Sequence, residues 1–162
     1  MARLKKHVKR KLEDAFKVVI EKLDEGYLND VGIYKGFQGT REITLPGILL
    51  SSEKAVPTYN IDKNSLGNYM IDFKLSLYTL ADDTEFENKR EIHEQYEGIL
   101  GEILERKDLK EKLTDAVSEF HIIWIKIVDI SDGITTQSDL ESVWEFEVNC
   151  IPYNVDQKTQ SN

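Results

Sequence analysis

Three histidines, one cysteine and thirty carboxylates are the residues from which a reactive site would have to be built. His7, His93 and His121 lie far apart, have no paired cysteines and make no H-x-x-x-H spacing, so the sequence predicts no metal centre. Asp129, Asp132 and Gly133 share residue types with a calcium loop, but the twelve-residue ligand spacing and its closing glutamate are missing; a hairpin turn is the expected explanation. No serine stands in a G-x-S-x-G elbow, and Cys150 sits mid-strand in an apolar run, where a packed thiol is expected rather than a nucleophile. Glu91, Glu94, Glu97 and Glu102 share a helical stretch with Lys89, Arg90 and Arg106, the pattern of solvated ion-pair partners rather than of acid–base couples. These readings predict no enzyme, no metal and no cofactor.

A binding role is left, and charge narrows it. The 162 residues carry a formal charge of −9, yet Arg3, Lys5, Lys6, Lys9, Arg10 and Lys11 place six cations and no acid within the first eleven positions. An acidic body with one basic end lacks the continuous cationic surface that displaces counterions from a duplex, so general nucleic-acid binding is not expected. Gly36-Phe37-Gln38-Gly39, between Lys35 and Arg41, has the GXXG spacing of some RNA-binding loops, but it follows a strand pattern instead of lying between two helices. No stretch is long and apolar enough to span a bilayer, and no leading apolar segment resembles a signal peptide; a cytosolic product without membrane contact is predicted. One lone cysteine also fits a reducing compartment.

The elements that would position any site follow from periodicity. Leu4, Val8, Leu12, Ala15, Phe16, Val19, Ile20 and Leu23 recur at helical spacing, predicting one long helix from Arg3 to about Glu25 with Gly26 as its stop. Val31 to Gln38 reads as a glycine-thinned strand. Between Gly39 and Gly67 the sequence predicts only a short strand at Ile48-Leu49-Leu50, followed by a loop containing Pro57 and rich in Ser, Lys, Asp and Asn. Strict alternation from Tyr69 to Tyr78 marks a central strand. Thr84 and Glu87 form a capping-box pattern for a helix through Ile92, Tyr96, Ile99, Leu100, Ile103 and Leu104, with a shorter helical piece from Asp108 to Leu113. His121 to Ile130 is nearly all apolar, which predicts a strand covered on both faces. Asp132-Gly133 is expected to open a turn, and Trp144 to Cys150 a strand with one acidic, exposed face. Strands and helices segregate, so the fold class expected is α+β, a mainly antiparallel sheet packed by a long N-terminal helix and a second central helix. One domain spans residues 1–155, and 156–162 form a polar tail.

This order of elements resembles the phage tail terminator family, the lambda-type tail-to-head joining minor tail proteins. The resemblance covers residues 3–153. It rests on the leading helix, the Leu45-Pro46-Gly47-Ile48-Leu49-Leu50 segment, the strand ending in Leu75-Ser76-Leu77-Tyr78-Thr79, the helix that holds Ile92-His93, and the final strands with Trp124 and Trp144. What it implies is a structural virion protein at the head–tail junction, assembled in the host cytoplasm. Its copies would form a homo-hexameric ring that caps the tail tube protein and joins the head connector or neck protein, while DNA passes the lumen without specific binding. Lys5, Lys6, Lys9 and Arg10 then become candidates for an inter-subunit or head-side contact. Phe37, Arg41, Pro46, Pro57 and Tyr59 become candidates for contacts with tube or neighbour. Another neck or completion protein, a non-viral protein-binding adaptor, and an enzyme with a site built from scattered residues are the alternatives.

Overall fold

The computed structural model describes residues 8–36, 43–58, 68–80, 86–135 and 139–151. In chain order the elements are α1 (Val8–Leu23), β1 (Gly32–Lys35), β2 (Gly47–Pro57), β3 (Tyr69–Thr79), α2 (Phe86–Leu104), α3 (Leu109–Ala116), β4 (His121–Ile134) and β5 (Leu140–Ile151). The strands form one five-stranded sheet in the order β1-β2-β3-β5-β4, antiparallel except for the parallel pair β1 and β2. The fold is therefore mixed α/β with a mostly antiparallel sheet.

The described part of α1 is 16 residues, shorter than the helix expected from Arg3, and residues 1–7 lie outside the described set. Its apolar stripe is buried at Val8, Leu12, Ala15, Phe16, Val19 and Ile20. Phe16 is the pivot: its ring stacks on Phe73 of β3 with centroids 4.2 Å apart and tilts against Phe146 of β5 at 5.3 Å. Leu100, Ile103 and Leu104 of α2 and Leu109 and Leu113 of α3 complete the same core. Those contacts put all three helices on one face of the sheet, the face from which Ile71, Phe73, Leu75 and Leu77 alternate.

Four expectations change. The short strand at 48–50 is the start of an eleven-residue strand, because Ser51 to Val56, poor in strand-forming types, are held by a full antiparallel ladder to β3 with a bulge between Ser52 and Lys54. The first strand is only Gly32–Lys35. Its partner is parallel. The apolar strand from His121 is not covered on both faces: it lies at the sheet edge, and Trp124, Val128 and Ile130 are exposed. Asp132 and Gly133 belong to that strand, which runs on to Ile134, instead of opening a turn. The capping-box residue Thr84 lies outside the described residues.

Candidate functional site

Two places on the molecule gather polar side chains with more order than a solvated surface requires. The first is inside. His93, on α2, is buried between Thr79 of β3 and Ser142 of β5, with Nδ1 2.7 Å from Thr79 Oγ1 and Nε2 2.7 Å from Ser142 Oγ. Ser142 Oγ also reaches Asp132 Oδ1 of β4 at 2.7 Å and makes a short hydrogen bond to Glu97, one helical turn beyond His93. Because Ser142 faces two carboxylates, its one proton goes to a carboxylate; the imidazole must then donate from Nε2 and accept from Thr79 at Nδ1.

Electrostatics agree with a neutral ring. Burial lowers the His93 pKa against the opposing pull of Asp132 and Glu94. Burial and the hydrogen bond to Asp132 raise Glu97, while the bond from Glu97 holds Asp132 below the ordinary carboxylate range. Of the two carboxyls, Glu97 is therefore the one that takes up a proton more readily. No buried side-chain nitrogen or oxygen among the described residues is left without a partner. A cleft of about 290 Å³ opens beside this cluster, between Arg90, Glu94 and Ile134. Ser142 itself has no exposed surface, and its proton is committed to a carboxylate, so the Ser–His contact ties α2 to three strands rather than activating a nucleophile.

The second place is the sheet face that carries no described helix. Cross-strand register lays two charged rows across it: Lys54, Asp72, Glu147 and Lys126 in one, Ser51, Lys74, Glu145 and Asp129 in the next. Asp72 stands directly opposite Glu147, and Glu145 opposite Asp129, placements that cost stability unless cations flank them. Lys74 does so, with Nζ 3.3 Å from Glu53 and 3.7 Å from Glu145. The acidic strand face read from Trp144 to Cys150 is therefore one stripe of a mixed-charge surface, with four carboxylates and three lysines in these two rows.

Of the interface residues expected from the sequence, Lys9, Arg10, Pro46 and Pro57 are among the described residues. Lys5, Lys6, Phe37, Arg41 and Tyr59 lie outside the described residues. Lys9 Nζ donates to the Glu53 carbonyl at 3.3 Å, and Lys11 Nζ to the Glu119 carbonyl at 2.9 Å, so part of the basic helix start is tied to its own chain. Arg10 is exposed. Pro46 follows a cis peptide bond at the start of β2, and Pro57 closes the same strand, about 36 Å away at strand rise. Glu94 is the solvated partner expected, pairing with Arg90 at 2.9 Å, but Glu97 is not, since Ser142 draws it inward. The histidine cluster escaped the sequence reading. Its only local trace is the i,i+4 spacing of His93 and Glu97.

No family model matches this sequence, and no curated protein matches it. Among solved structures, a chain from the virion of a native gene transfer agent particle is similar at 12% identity and a TM-score of 0.45, over 83% of this chain and 92% of that one. A likeness of that size carries no argument about function.

Proposed function

We propose that this chain is a structural virion protein of a tailed phage, a tail terminator whose copies form a hexameric ring that caps the tail tube and meets the head connector. The observation that carries the reading is the charged sheet face on which no described helix packs, with a small excess of carboxylates over lysines, set opposite the face that the described helices cover. Such a subunit has an inside and an outside. Turned toward a lumen, the excess of Asp72, Glu145, Glu147 and Asp129 over Lys54, Lys74 and Lys126 disfavours the phosphate backbone and lets DNA pass without binding. The order of elements that resembles the terminator family, with the Leu45-Pro46 segment leading into β2, supports the same reading. Ring closure by rotation needs two unlike patches on each subunit. Arg10, with Lys5 and Lys6 before it in the sequence, supplies one, acting on a neighbour or on the head side.

The test is negative-stain imaging with native mass spectrometry of the purified protein, alone and with isolated tail tubes. Rings of six subunits, or density capping one end of the tubes, are the expected result. Particles that never form rings and leave the tubes uncapped overturn the reading.

A further inference from the structure

Of the nine large apolar side chains exposed among the described residues, five lie on β4: Ile123, Trp124, Val128, Ile130 and Ile134. This strand is also an edge. Among the described residues it pairs with β5 on one side only, and α3 closes its other side just at the start, where the Ile122 N–H donates to Thr114 Oγ1 at 3.1 Å. Fourteen residues make an edge of about 45 Å, and a long apolar edge is a template for another strand.

We propose that the partner of this edge is β4 of a second copy of this chain, paired antiparallel about a two-fold axis between Ile127 and Val128. The strand's own charges choose the register. Lys126 and Asp129 share the helix-free face because the bulge at Val128 shifts the alternation by one residue, and neither forms an ion pair within its own described chain. Antiparallel pairing that sets Lys126 opposite Asp129 of the second copy also sets Trp124 opposite Ser131 and Ile125 opposite Ile130, face matched to face. Faces match from Trp124 to Ser131, an eight-residue ladder that ends where the second bulge, at Ile123, shifts the alternation again. A two-fold contact of this kind satisfies every interaction twice.

The contact does not rest on the proposed ring, whose contacts repeat by rotation in one direction; a dimer joined through β4 is a soluble form that must open, or use other surfaces, when a ring closes. The experiment is sedimentation velocity of the full chain over a concentration series, with Lys126→Asp, Asp129→Lys and the double exchange. Both side chains are exposed, so circular dichroism should be unchanged in all three. Each single variant sets like charges opposite each other twice per dimer and should weaken dimerisation about tenfold. The double exchange should restore it. A chain that stays monomeric at every concentration overturns the proposal, and so does a dimer indifferent to the single changes, which would lie on another face. Tube capping is measured separately, so a failed dimer leaves the terminator reading standing and a failed cap leaves the dimer standing.

Discussion

Ser142→Ala removes one oxygen and strands three neighbours. The His93 Nε2–H loses its acceptor in a site with no exposed surface at Ser142 and 6% at His93, which costs about 1–3 kcal/mol for an unpaired buried donor. Glu97 and Asp132 lose their shared donor as well, at a smaller cost because water reaches both. The sum is about 2–4 kcal/mol. With a urea slope of roughly 2 kcal/mol/M, the midpoint should fall by about 1–2 M at pH 7.5 with no change in slope. Val143→Ala is the control, next along the strand but on the opposite face and half-buried, and should cost under about 1 kcal/mol. A loss below about 0.5 kcal/mol for Ser142→Ala would refute the account, because the hydroxyl would then not be what satisfies the ring.

The same cluster makes stability depend on pH in two opposed ways. His93 has its pKa lowered from the ordinary 6.5, so the unfolded chain binds more protons below that value; its contribution is complete above 6.5 and is lost on acidification, a decline that His93→Gln should flatten in urea titrations from pH 7.5 to 5. Glu97 is raised from 4.5, so its contribution is complete below 4.5 and is lost as pH rises through the folded value; Glu97→Gln should remove that loss. Phe16→Ala empties the stacked contact with Phe73 and should cost about 3–5 kcal/mol by chemical denaturation. Glu13 Oε2 accepts the Ser52 N–H at 3.0 Å, so Glu13→Ala should cost about 1–3 kcal/mol while Glu13→Gln, which keeps an acceptor, should cost far less. Burial pushes the Cys150 thiol up to about 12, and an aromatic disulfide reagent should label it only at the rate of global unfolding.

What could be read from the sequence was whatever depends on near neighbours. Ile71 to Leu75 alternate because one face of β3 meets the helices and the other does not, and that contrast is written residue by residue, although Leu75 to Thr79 are buried on both faces. The stripe of α1 is legible for the same reason. Ser51 to Lys54 look like a loop because nothing local makes them a strand; the β3 ladder and the carboxylate of Glu13, 39 positions away, hold them there. His121 to Ile130 reads as doubly buried because composition reports that apolar groups need covering without saying whether the cover lies in the same chain. The histidine cluster draws Thr79, His93, Glu97, Asp132 and Ser142 from four elements, and no spacing rule spans such a set. Resemblance to a family supplied an order of elements, but not the charged rows of the open face, which exist only once register is fixed.

The strand order carries a cost during synthesis. β5 sits between β3 and β4, so β3 has no partner on that side until Leu140 and its successors emerge, about sixty residues after Thr79. At ribosomal speeds of 5–20 residues per second, that edge stays open for roughly 3–12 s. During that interval the finished β2–β3 pair has an open edge, with the three helices covering Ile71, Phe73, Leu75 and Leu77 but no strand beside them on that side. Slowed translation before residue 140 should therefore lower the soluble yield of this chain more than slowing after residue 151.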